Sequence, residues 1–132
     1  MDWKLEVVVV PVSDVDRSRR FYGEQLGFSV DVDHQASDTM RIVQLTPPGS
    51  ACSVTLGTGL SAMAPGSLQG VQLVVADIDA ALARLKEHGI ESSGVIHFEG
   101  GDQRPGPGGD WNSFIFFSDP DSNGWAIQQR PA

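Results

Sequence analysis

The run "LEVVVVPV" (5–12) is β-branched and bounded by polar residues, a pattern that predicts a strand buried on both faces. "SDVDRSRRFYGEQLG" (13–27) then changes period. Ser13 and Asp14 are N-cap candidates, Val15, Ser18, Tyr22 and Leu26 fall on one helical stripe, and Gly27 stops the helix. Three short strands follow, "FSVDVD" (28–33), "MRIVQLT" (40–46) and "CSVTLG" (52–57), separated by polar or Pro/Gly turns of which "TPPGS" is the clearest. The second half repeats the order. "VQLVVAD" (71–77) is a strand, and Asp77 caps a helix whose Ile78, Ala81, Leu82 and Leu85 form the apolar stripe and whose end is Gly89. "GVIHF" (94–98), "SFIFFS" (113–118) and "GWAIQQ" (124–129) supply three more strands.

Both halves thus read βαβββ. "VSDVD" at 12–16 and "VADID" at 75–79 share Val-x-Asp-apolar-Asp at an offset of 63 residues, which makes duplication of one unit the simplest account. The expected organisation is one domain over 1–132, with a first module at about 3–58, a Gly/Ser/Ala-rich linker at about 59–68 and a second module at about 69–130. The stretch from Glu99 to Asn112 holds five glycines, two prolines and one apolar residue, Trp111, and is expected to be mobile, either a loop that closes over a bound molecule or a long connection with no role.

Composition narrows the function. Seventeen acidic against nine basic residues give a net charge of −8, which repels phosphate backbones and anionic lipid and points away from nucleic acid and membrane partners. The same field favours a cationic ligand or merely keeps the chain soluble. One cysteine, Cys52, makes no intrachain disulfide; it fits a reducing, cytoplasmic setting and reads as a buried small hydrophobe. The opening "MDWKLEVVVVPV" is too short and too charged for a signal core. There is no Ser-His-Asp order, no phosphate loop and no Glu-x-x-His helix.

"VPVSDVDRSRRFYGEQLGF", "LVVADIDAALARLKEHGI" and "FFSDPDSNGW", with the matching order of strands, resemble the vicinal oxygen chelate superfamily of glyoxalase I, fosfomycin resistance proteins, extradiol dioxygenases and bleomycin resistance proteins. The resemblance covers nearly the whole chain. It implies an α+β fold of two tandem βαβββ modules, forming a cup-shaped mixed sheet with the helices outside, and by analogy a homodimer. In metal-dependent members an ion sits in the cup on first-strand histidines and a last-strand glutamate. Carried across, the histidine positions, seven residues before Asp14 and Asp77, are Val7 and Gly70, and the glutamate position, seven after Asp119, is Ala126. None has a donor side chain, and a two-residue slip offers only Val9, Gln72 and Gln128. The family's metal centre and any cofactor are therefore not expected; a metal elsewhere in the cup, through His97, stays open. Ser122 also departs from the glycine usual in that turn.

Alternation then assigns a candidate site. Val7, Gln72 and Gln128 line the cup, Gln44 rather than Arg41 faces inward, and Phe114 and Phe116 share the inward face of their strand, while Trp125 belongs to the core. Trp111 stacks on a planar or cationic ligand, or simply anchors its loop. His97, at the end of "GVIH", is the best single catalytic candidate or else an ordinary strand-end histidine; His88 and His34 read as a helix-end and a solvated turn residue. The leading reading is a metal-independent small-molecule-binding protein that sequesters an antibiotic or metabolite, its ligand a cationic or aromatic organic molecule. The alternative is a metal-independent lyase or isomerase in which His97 or Glu99 moves a proton, and a weaker third is a partner-binding module. Glyoxalase I chemistry is disfavoured because it needs a metal.

Overall fold

Alternating runs and capped stripes organise the chain as two successive units, each with its own helix and its own mixed sheet. The computed structural model describes residues Met1–Ala132. Contacts divide it into Met1–Leu68 with Pro120–Asn123, and Gln69–Asp119 with Gly124–Ala132. The first unit runs β1 (Val7–Val9), α1 (Val15–Arg20), β2 (Ser29–Gln35), β3 (Arg41–Thr46) and β4 (Ser53–Thr58), hydrogen-bonded in the order β1-β4-β3-β2. The second runs β5 (Val71–Val75), α2 (Ile78–Glu87), β6 (Ile96–Glu99), β7 (Asp102–Pro105), β8 (Phe114–Ser118) and β9 (Gly124–Gln129), in the order β5-β9-β8-β6-β7. In both sheets the opening strand pairs parallel with the last one and all other pairs are antiparallel. This is an α+β fold of two βαβββ-like modules.

The helices start where the sequence places caps. The Asp14 carboxylate accepts from the Arg17 amide at 3.1 Å, and Asp77 accepts from Asp79 and Ala80. Beyond Arg20 the first helix widens into a π-helical turn, Phe21–Gln25, and both Phe21 and Tyr22 are buried. Each helix covers one face of its own sheet. In the first unit Val43, Leu45, Val54 and Leu56 form the covered layer, in the second Ile115, Phe117, Trp125 and Ile127, and all are buried. Trp125, 2% exposed and stacked on Phe117, is core as expected. No helix is long and apolar enough to cross a membrane.

Four expectations need correction. The first strand, expected over 5–12 with both faces buried, is limited to Val7–Val9 and lies at a sheet edge beside β4 alone, leaving Leu5 72% exposed. The stretch from Glu99 is not one long connection. Gly100 and Gly101, with φ of 56° and 86°, form a two-residue turn joining β6 to the extra strand β7, with Glu99 opposite Asp102. The rest of it is tied back, since the Asn112 side chain accepts from the Phe98 amide and donates to the Phe98 carbonyl, both at 2.9 Å, as a neighbouring strand would. Finally, Cys52 is half-buried and His34 lies within β2, exposed.

Candidate functional site

Each sheet has a second face that its helix does not cover. In the first unit register places Val7 and Val9 of β1, Ser53 and Thr55 of β4, and Ile42 and Gln44 of β3 on that face. It is aliphatic with hydroxyls and one amide. Arg41, an odd step from Gln44, lies on the helix side, where its guanidinium bonds the Asp33 carboxylate twice at 3.0 Å and Asp16 at 2.7 Å. Those hydrogen bonds hold Asp33 below its ordinary carboxylate value and Arg41 above its own.

The corresponding face of the second unit is different. Pairing of Phe114 with Gln128, Phe116 with Ala126 and Ala126 with Gln72 sets these side chains on one side of three adjacent strands. Phe98 on β6 completes an aromatic group: its ring centroid lies 5.5 Å from that of Phe114 and 6.3 Å from that of Phe116, both edge-on. The Phe114 and Phe116 rings are 6.1 Å apart and nearly parallel. Pairs of this kind contribute about 0.5–1.5 kcal/mol beyond burial, so the rings hold one another in place without a ligand. All three are half-buried. Beside Phe116, where β8 meets β9, opens a cavity of about 360 Å³ lined by Gln69, Gly70, residues 116–118 and residues 124–126. The Gln69 side-chain amide lies against Gly124, where a Cβ would push it aside.

Two amides stand on the same face. Gln72 Nε2 donates to Gln128 Oε1 at 2.8 Å, and Gln128 Nε2 donates to the Trp111 carbonyl at 2.7 Å. Trp111 itself has a φ of 60°, unusual for a large side chain, and is 53% exposed.

His97 is placed otherwise. It neighbours Phe98 in β6 and so points to the opposite face. Its Nδ1 donates to the Gly106 carbonyl at 2.8 Å, and its Nε2 lies 3.0 Å from Glu99 Oε1. Both partners are acceptors, so the two hydrogen bonds are made together only by the protonated ring, and the Glu99 hydrogen bond, then that to Gly106, raises the His97 pKa. Both ring nitrogens are engaged on that side of the strand, away from the aromatic face.

Of the residues singled out from sequence, Gln72, Gln128, Phe114 and Phe116 thus come together in the second unit, with Trp111 at their edge. Val7 and Gln44 lie on the open face of the first unit, and His97 stands apart. Phe98 was missed, although the alternation of "IHF" with Ile96 opposite Phe114 carries the signal. The residues do not fit a divalent cation: Val7, Gly70 and Ala126 offer no donors, and no group of three His, Cys, Asp or Glu side chains converges anywhere.

Paired βαβββ units with open sheet faces define a class of duplicated α+β proteins, and comparison narrows it. Residues 4–127 match the model of the Glyoxalase/Bleomycin resistance protein/Dioxygenase superfamily, and the chain belongs to that family. Among solved structures it is similar to TnmS3, an antibiotic binding protein from Streptomyces sp. CB03234, with 33% identity, 98% of each chain covered and a TM-score of 0.77. A glyoxalase/bleomycin resistance protein from the same organism is 34% identical over 96% of this chain and 100% of that one, with a TM-score of 0.73. A superfamily member from Sphaerobacter thermophilus DSM 20745 is 28% identical, covers 98% of both chains and has a TM-score of 0.77.

Proposed function

We propose that this protein binds and sequesters a small organic molecule, an antibiotic or related metabolite with an aromatic or cationic surface, without a metal ion. The observation that carries the proposal is the second unit's open face: three mutually ordered phenylalanines beside a cavity whose lining, at the positions of the family's metal ligands, is Gly70 and Ala126. An apolar concavity with a few amides suits retention in a fixed orientation. Pre-ordered rings add affinity because little side-chain entropy remains to be lost. The antibiotic binding ascribed to TnmS3 supports the same reading. Proton transfer by His97 is the poorer account, since its ring is committed to Gly106 and Glu99 on the other side of the strand. A homodimer in the cytoplasm is the accompanying expectation, from the family resemblance and the lone cysteine.

Titration calorimetry against a panel of aromatic and basic antibiotics, with mass spectrometry of the recovered ligand, tests this. At least one compound is expected to bind, to be recovered unchanged, and to lose about tenfold or more in affinity on Phe116→Ala. Consumption of the compound in a His97-dependent manner would replace sequestration by catalysis.

A further inference from the structure

The amide pair on the aromatic face has a direction, and that direction constrains the ligand. A backbone carbonyl has no proton to give, so the group of Gln128 that meets the Trp111 oxygen must be its NH₂. Its Oε1 is then turned to Gln72, which must answer with its own NH₂. The assignment of oxygen and nitrogen in both side chains follows from the one acceptor-only group at the end of the chain. At the other end Gln72 Oε1 keeps both lone pairs uncommitted within the protein, on an exposed side chain one strand away from Ala126 and the cavity. No lysine or arginine occupies the face defined by Gln72, Val74, Phe98, Phe114, Phe116, Ala126 and Gln128, so nothing there competes for that oxygen.

We infer that Gln72 Oε1 reads a hydrogen-bond donor, so the molecule held on the aromatic face is a flat apolar compound carrying an N–H, O–H or ammonium group at its edge. Gln128 is a positioning residue: it touches Gln72 and Trp111 and fixes which end of the Gln72 amide is presented. This inference rests on the binding function proposed above and adds to it the polarity of the ligand's edge. The protein's acidity favours the charged form of such a donor but does not create the preference, which is local.

Three uncharged tricyclic probes of one shape separate these points by fluorescence titration: carbazole, whose N–H donates; fluorene, which neither donates nor accepts; and fluorenone, whose carbonyl only accepts. The native protein is expected to bind carbazole about five- to tenfold more tightly than fluorene, the worth of one hydrogen bond, with fluorenone below carbazole. Gln72→Leu, which leaves net charge unchanged, is expected to erase the carbazole preference and retain fluorene binding. Gln128→Leu releases the Gln72 amide to turn and is expected to narrow the gap between carbazole and fluorenone, a change of selectivity that loss of packing alone does not produce. Equal binding of carbazole and fluorene, or fluorenone outranking carbazole, overturns the donor inference and leaves the aromatic site standing. Failure of all three probes to bind, with Phe116→Ala indistinguishable from the native protein, overturns the aromatic site itself.

Discussion

The two units repeat one topology, and their helix-covered layers are alike: branched aliphatics and aromatics, all buried. Their uncovered faces have diverged. The first shows Val7, Val9, Ile42 and Gln44, and concentrates its charge chemistry on the other side, in the Arg41, Asp16 and Asp33 cluster. The second shows Phe98, Phe114 and Phe116 with a directed pair of amides. A duplicated fold has to preserve the layer under the helix in both copies, because that layer supplies the stability, whereas each uncovered face can take its own chemistry.

The strongest way to break this comparison is to truncate each layer in turn. Leu45→Ala in the first unit and Ile115→Ala in the second remove side chains with no exposure, and each is expected to cost about 2–5 kcal/mol. Phe116→Ala, one residue from Ile115 but on the uncovered face, is expected to cost under about 2 kcal/mol because the ring is half-buried. Urea denaturation midpoints measure all three. A Phe116→Ala loss as large as that of Ile115→Ala would make the aromatic group core and remove the contrast between the faces.

The next effect concerns the first unit's ion cluster. Arg41→Met is expected to cost about 1 kcal/mol at neutral pH, a figure kept low because Arg41 and Asp33 are partly open to solvent and screened. Because Arg41 holds the Asp33 pKa down, this contribution is present above the ordinary carboxylate value and is lost as pH falls through the lowered one. Native and Arg41→Met midpoints are therefore expected to converge in acid. On the second unit's sheet Arg104 reaches Glu99 and Asp102 only at 3.9 and 3.7 Å and all three are more exposed than Arg41 and Asp33, so a smaller contribution is expected there. Parallel native and Arg41→Met curves would show the first unit's cluster to be electrostatically idle.

Much of this was readable beforehand. Caps at Asp14 and Asp77, period-2 strands and the repeated Val-x-Asp-apolar-Asp fix the βαβββ order, and alternation counted from the ligand positions of the family resemblance, Gly70 and Ala126, places Gln72 and Gln128 on one face, with Phe114 and Phe116 assigned to it as one of two choices. Strand β7 escaped because "DQRP" has no apolar alternation; only the Gly100-Gly101 turn marks it, through positive φ at both positions. His97 was grouped with the site by nearness in sequence, when its odd step from Phe98 already placed it on the other face. The amide relay depends on where the Trp111 carbonyl lies, which is set by Asn112 clamping Phe98 and has no local signature.

Each unit also holds one non-glycine residue in the left-handed region, Ser122 in the first and Trp111 in the second. Ser122→Gly is expected to raise stability by about 0.5 kcal/mol, the relief of backbone strain being partly offset by the greater freedom of glycine when unfolded. Trp111→Gly brings the same backbone relief but deletes the indole, so it is expected to lower carbazole affinity while Ser122→Gly leaves it unchanged. Equal affinities would remove Trp111 from the site.

The smallest expected effect belongs to His97, because Glu99, its carboxylate partner, is largely exposed and screened. A histidine whose folded pKa lies above its unfolded value contributes stability that is complete below the unfolded value, near 6.5, and disappears as pH rises through the folded one. The charged groups around it are Glu99 on its own strand and Arg104 opposite on β7, with the neutral Gly106 carbonyl, and Arg104 opposes the shift. Melting temperatures of the native protein and of His97→Gln are thus expected to differ most at pH 6 and to approach each other toward pH 9. Over the same range fluorene binding is expected to stay constant, since the imidazole and the phenylalanines lie on opposite faces of β6. A binding curve that follows the histidine titration would reconnect His97 to the aromatic face and restore its candidacy as a proton-transfer group.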